Sequence, residues 1–379
     1  TFTILENPTP EPSQEPSQEP SQEPSQGSTV APSLSPLTQF DCDDFPHPIQ
    51  VLRDGEDEYY TVNELDIGTG EYHMLYTLDY LHIDDHVNAI ALFEGDDGAF
   101  YAMGSFAGHL CTFDATHKTC FTTPLNEEKP NVGTIMNNDY YYAKDPGEGE
   151  DRAIYWVENI DDEEPIFHSS SDIRFMIGED LFERSVLDLI PLREKKTYVW
   201  IDDGENKAEY LIGLAQRFEV LIIRLDDDGY PSEFAVVPGE VDWNGQEEQT
   251  GKTAFGAAFM YHSSDWSSTS AFFASNSGWG IFQLALPLSV PEECWNSGFD
   301  TDAHVVCTGE SASITWRMDS AKASSNDGMN CPYADFTVEE PTPEPTPEPT
   351  HGPTPKPTPR PTPEPTPEPS FAPTISPLT

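Results

Sequence analysis

Between residues 41 and 338 the chain repeats one pattern: a short β-branched or aromatic run, then a break of Gly, Asp, Asn or Pro. Such runs predict strands bounded by turns. They fall at 59–65, 72–78, 87–93, 99–103, 110–113, 120–123, 132–136, 140–143, 153–157 and 165–168. They continue at 186–192, 197–201, 218–225, 233–237, 254–261, 270–274, 280–286 and 304–307. Helical periodicity is weak, and 180–192 is the one stretch that reads as a helix. Groups of four strands recur every 40–55 residues, the spacing of propeller blades. The expected fold is all-β: a β-propeller of five to seven blades, five of them visible as four fairly full groups and one split group. In the split blade, 313–318 joins 49–52, 59–65 and 72–78, which closes the ring and removes exposed sheet edges. A pair of β-sandwiches is the rival, against which no linker-like break divides 41–338.

Composition divides the chain differently. Of 36 Pro, 8 lie in residues 1–40 and 16 in 339–379. The expected organisation is an arm (1–40), a propeller domain (41–338) and a second arm (339–379). Sixty-eight Asp and Glu face 18 Lys and Arg, net −50, of which −41 belongs to the middle. A face that neutralises nucleic-acid phosphates is therefore excluded, as is a polybasic membrane surface. No run reaches 18 apolar residues, so no membrane-inserting helix is encoded.

The arms are periodic. Pro12-Ser13-Gln14-Glu15 recurs at 16–19 and 20–23, and Pro stands at every second position from Pro353 to Pro369. Alternating proline fixes φ and removes amide donors, which predicts extended polyproline II; 17 such residues reach roughly 50 Å. Ser/Thr-rich proline tracts have the composition of O-glycosylated stalks. The candidate positions are Ser13, Ser17, Ser21, Thr342, Thr346, Thr354, Thr358, Thr362 and Thr366. Ala31-Pro32-Ser33-Leu34-Ser35-Pro36-Leu37-Thr38 matches Ala372-Pro373-Thr374-Ile375-Ser376-Pro377-Leu378-Thr379. The match makes these 379 residues about one period of a tandem array.

Six Cys at an even count, without a CxxC pair, point to three disulfides in a secreted protein rather than to zinc. Cys111 and Cys120 flank a hairpin, Cys294 and Cys307 close a short loop, and Cys42 and Cys331 bracket the domain. Sequence does not fix that connectivity. No permitted Asn-x-Ser/Thr sequon occurs.

The segments YYTVNELDIGTGEYHMLYTL, VNAIALFEGDDGAFYAMGSFAGHLCTFD and FGAAFMYHSSDWSSTSAFFASNSGWGIFQLAL resemble secreted propeller-like repeat proteins over about 45–317. No WD or kelch signature accompanies them. The arms resemble hydroxyproline-rich, extensin-like glycoproteins of algal surfaces and fibres. That resemblance implies hydroxylated, O-glycosylated proline, at Pro343, Pro347, Pro355, Pro359, Pro363 and Pro367, and a structural extracellular role.

Catalytic motifs are sparse. HExxH and G-x-S-x-G are absent, and Gly245 to Gly251-Lys252-Thr253 has five intervening residues where a phosphate loop needs four. His82-Ile83-Asp84-Asp85-His86 gathers imidazoles and carboxylates that could hold a divalent metal, but it reads better as an exposed acidic loop between blades. Calcium is the one cofactor candidate, at Asp226, Asp228, Asp202, Asp203, Asp96 and Asp97, because hard cations take oxygen ligands in tight turns. Ordinary Asp-Gly turn chemistry accounts for the same residues. Trp266, Trp279, Tyr261, Phe272 and Phe273 could form a sugar-stacking face or a blade core. The expectation is thus an extracellular structural subunit, not an enzyme, requiring no cofactor. It self-associates into a filament or array through glycosylated arms. A carbohydrate-binding adhesin on a stalk is one alternative, and a secreted propeller hydrolase is the other.

Overall fold

Antiparallel pairing turns these runs into four-stranded meanders. The computed structural model describes residues 39, 40, 42 and 47–331, apart from 54–58, 82–84, 96, 127–128, 144–153, 163, 169–188, 194–200, 203–208, 250–252, 263–268, 298–305 and 308. The first group holds β1 (Ile49–Arg53), β2 (Thr61–Leu65) and β3 (Tyr72–Thr77). The second holds β4 (Asn88–Glu94), β5 (Phe100–Phe106), β6 (His109–Phe113) and β7 (Lys118–Pro124). The third holds β8 (Val132–Met136), β9 (Asp139–Ala143), β10 (Ile154–Glu158) and β11 (Ile166–Phe167). The fourth begins with β12 (Ile190–Arg193) and, after the short β13 (Ile201–Asp202), continues through β14 (Glu209–Leu214), β15 (Glu219–Leu225) and β16 (Pro231–Asp242). The fifth holds β17 (Phe255–His262), β18 (Thr269–Ser275) and β19 (Ile281–Ala285). After the short β20 (Leu288–Ser289) and β21 (Asn296–Ser297), it ends with β22 (Ala312–Met318). A last strand, β23 (Ser325–Met329), returns to pair with β1.

The innermost strands β23, β4, β8, β12 and β17 pack side by side in a ring. The architecture is a β-propeller, with five four-stranded blades among the described residues. Each blade buries both faces, which explains the unbroken apolar runs. In Asp139–Ala143, Tyr140 and Tyr142 point toward the second blade while Tyr141 points toward the fourth, as period-2 alternation requires. Val220 and Ile222 pack toward the fifth blade, Leu221 and Ile223 toward the third. Each blade interface holds one hydrophobic cluster. The outer strands β3, β7 and β11 see water instead, and β7 is exposed at most of its positions.

The fourth and fifth blades are joined at their outer edges. The second half of β16 pairs parallel with β22, Gly239 opposite Ala312 through Asp242 opposite Thr315.

Three expectations are corrected here. The ring is closed by Ser325–Met329, not by 313–318; the latter belongs to β22, the outer strand of the fifth blade. Its Ile314 and Trp316 pack on the core between blades four and five, where a β-branched and aromatic strand belongs. The helix read over 180–192 ends instead in strand β12, and its earlier residues lie outside the described ones. Of 304–307, Val306 makes only an isolated bridge to Val236.

Candidate functional site

Strands in a meander alternate in direction. The turns between first and second strands, and between third and fourth, therefore share one face. The described chain also begins and ends on that face. Gln39 donates from Nε2 to Asp97 Oδ2 at 3.2 Å, and the amide of Phe40 donates to the carbonyl of Phe100 at 2.7 Å, which anchors this root on the second blade. Cys42 is bonded to Cys331, with Cα atoms 5.7 Å apart, two residues beyond the end of β23. Asn330 pairs with Met260 of β17 as a peptide would: Nδ2 donates to the Met260 carbonyl at 2.9 Å and Oδ1 accepts its amide at 3.0 Å. One knot thus fastens the fifth, first and second blades.

Behind the knot, β23 is polar yet buried. Gln50 Nε2 donates to Asn326 Oδ1 at 3.0 Å, and Asn326 Nδ2 donates to Asn276 Oδ1 at 3.1 Å. Asp327, 1% exposed, accepts the Ile90 amide of β4 on Oδ2 and the Gly328 amide on Oδ1. Burial pushes its carboxyl well above the usual range, against the pull of those amides. A Cβ on Gly328 would stand 2.7 Å from Phe259 Cε1 and 2.9 Å from both Ala257 Cβ and the Ala258 nitrogen. Only glycine lets β23 lie that close to β17.

The Asp-rich turns lie on the same face as the knot. Asp97 Oδ1 accepts the Ala99 amide and Oδ2 the Tyr101 hydroxyl, and these bonds hold its carboxyl below the usual range. Asp226 Oδ1 accepts the amides of Asp228 and Tyr230. The carboxylates of Asp97 and Asp226 are therefore engaged in shaping their own turns. Asp96 and Asp203 lie outside the described residues, as does the side chain of Asp202 in β13. Among the described residues no three His, Cys, Asp or Glu side chains gather as a metal site. Of the 82–86 cluster, Asp85 meets Lys118 Nζ at 2.9 Å, and 82–84 lie outside the described residues.

The aromatic candidates divide. Phe272 and Phe273 are wholly buried, and Trp279 packs on the core between blades four and five. Trp266 lies outside the described residues. The sequence reading missed a cluster that spans the third and fourth blades. Trp156 stacks on His168 with centroids 4.5 Å apart and meets Tyr230 at 5.0 Å. His168 Nε2 lies 2.9 Å from Glu158 Oε2. The charge of Glu158 pushes the Tyr230 hydroxyl up, and burial pushes the Asp139 carboxyl up. No local motif announces the cluster, because its members come from two blades. Its rings pack against one another, and Trp156 is 2% exposed, so it is a closed stack rather than an open cage. The candidate arm sites, Ser13 through Thr366 and Pro343 through Pro367, lie outside the described residues.

All three disulfides of the described chain, Cys42–Cys331, Cys111–Cys120 and Cys294–Cys307, join the pairs the sequence suggested. They fit a secreted or periplasmic protein. No helix of the described residues is long and apolar enough to cross a membrane.

The class these sheets define is the β-propeller. No protein-family model matches the chain, and no curated protein matches it. Among solved structures it is similar to a putative 6-phosphogluconolactonase from Bacteroides uniformis, at 10% identity over 66% of this chain and 67% of that one, TM-score 0.28. It is similar to a periplasmic gluconolactonase from Pseudomonas aeruginosa, at 12% identity over 63% and 78%, TM-score 0.28. A β-propeller domain from Myceliophteria thermophila matches at 8% identity over 63% and 83%, TM-score 0.24. The expectation that the chain is not an enzyme is not upheld: the solved structures similar to it include a gluconolactonase and a putative 6-phosphogluconolactonase. Catalytic constellations are recognised by geometry and not by sequence position, so missing linear motifs do not exclude one. At such identities and scores the likeness assigns no activity to this chain.

Proposed function

We propose that the chain is one module of an extracellular filament or surface coat, in which propeller beads are carried on O-glycosylated, hydroxyproline-bearing arms. The observation that carries this reading is the knot: the chain enters and leaves the bead beside one disulfide, with Cα atoms 5.7 Å apart. A tandem array of such modules carries its beads as side pendants on a continuous proline-rich strand. The disulfides support an oxidising, extracellular setting. The arms supply the extended connectors and the Ser, Thr and Pro positions for glycans. A net charge of −41 on each middle segment keeps neighbouring beads apart unless cations or sugars intervene. Partners in this reading are further copies of the module and O-linked glycans.

Intact mass and glycopeptide analysis of protein from its native source tests the reading. Sugar on Ser13, Ser17, Ser21 or the Thr342–Thr366 positions, with hydroxylated Pro343–Pro367, is the expected result. Unmodified arms would overturn it.

A further inference from the structure

Tension applied through the two arms has a fixed covalent route. Everything before Cys42 and after Cys331 lies outside the loop that their disulfide closes, and the 289-residue separation between them lies inside it. A pull on the arms therefore passes from one arm to the other through a single S–S bond, and the propeller hangs from that bond unloaded.

The strands behind the bridge show why the route matters. β1 and β23 are antiparallel neighbours, with Ile49 opposite Met329, Gln50 opposite Gly328 and Arg53 opposite Ser325. Without the bridge, the arms would pull Ile49 and Met329 apart from the same end of the pair. Its hydrogen bonds would then break one after another, as in a zipper, rather than together in shear. That is the weakest direction for a sheet. It would strip out the innermost strand of the closing blade, and with it the seal on the clusters around Met329 and Phe259. The ring closure thus sits where load from the arms would open it first. The disulfide lies at the mouth of that zipper, two residues beyond Met329. Its flanks are fixed by Asn330 on Met260 and by Phe40 on Phe100.

We infer that Cys42–Cys331 is a tension bypass, which lets the arms bear stretching force while the propeller stays folded, and that reducing it makes the bead an extensible element. Its use in the organism rests on the arms being connectors in a filament. The bypass itself is tested on single molecules, so its failure is distinct from failure of the filament reading.

The full chain is stretched by handles at its two ends. The oxidised chain is expected to extend only by its arms up to covalent rupture. In the Cys42→Ser/Cys331→Ser variant, cooperative unfolding in bulk first shows that the bead is folded. A low-force event should then release the loop less the 9- and 13-residue separations still closed by the other disulfides, about 900 Å. If that variant does not fold, the native chain is pulled with a thiol reductant added after folding. The release should then appear with a frequency that rises with reductant concentration. A release of several hundred ångströms from the oxidised chain would overturn the inference. So would a reduced or substituted chain that yields only at the force that ruptures the oxidised one.

Discussion

Replacing both Cys42 and Cys331 by Ser should cost this protein more stability than removing either of the other disulfides. In the chain-entropy description, a cross-link stabilises by restricting the unfolded chain, and its effect grows with the logarithm of the loop. Separations of 289, 9 and 13 residues then correspond to about 5.7, 2.6 and 2.9 kcal/mol. Total stabilities of single domains run to about 5–15 kcal/mol, so the first loss would remove a large share of the fold's margin. Urea unfolding of three double-Ser variants, one per bridge, measures this, with the slope of each curve reporting whether unfolding remains two-state. The order of midpoints should place the Cys42–Cys331 variant lowest by a wide gap. A loss equal to or smaller than that of the Cys111→Ser/Cys120→Ser variant would refute the reasoning, because closure of the ring would then not depend on the bridge.

Further outcomes follow from the closing seam. Gly328→Ala sets a Cβ under 3.0 Å from three atoms of the facing strand and should destabilise by about 1–3 kcal/mol, read from the urea midpoint. Asn330→Ala leaves the buried Met260 amide and carbonyl without their side-chain partner, at about 1–3 kcal/mol. It should also raise amide exchange at Met260 before exchange in β9 changes. Asp327 has a folded-state carboxyl value raised above the unfolded one, chiefly by burial. Its contribution is therefore fully present below the unfolded value and is lost as pH rises through the folded value. The stability difference between the native protein and Asp327→Asn should accordingly shift against the native protein between pH 4 and pH 7; a constant difference would show that burial does not govern this group.

The strand content was legible because each blade buries both faces. Runs such as Asp139–Ala143 and Glu219–Leu225 carry their apolar character continuously, and their pairing into meanders follows from the short turns between them. The disulfide pairs were suggested by spacing: two sit across local turns or loops, and the third brackets the domain. The closing strand was not legible. Ser-Asn-Asp-Gly-Met has the composition of a turn, and it forms a strand only because Gln50, Asn276 and the amide of Ile90 satisfy its side chains in the ring. The apolar 313–318 segment looked like the better closing strand for the same reason that it suits the outer edge of the fifth blade. The Trp156–His168–Tyr230 stack was also invisible, since its residues are brought together by the packing of two blades and not by any local spacing.

The most direct test of the account is electron microscopy of the native assembly, or of a chain carrying several modules in tandem, prepared without reductant. Entry and exit beside one disulfide predict globular beads displaced to the side of a thin continuous strand, each attached at a single point. Beads threaded in line, with the strand entering at one pole and leaving at the other, would contradict it.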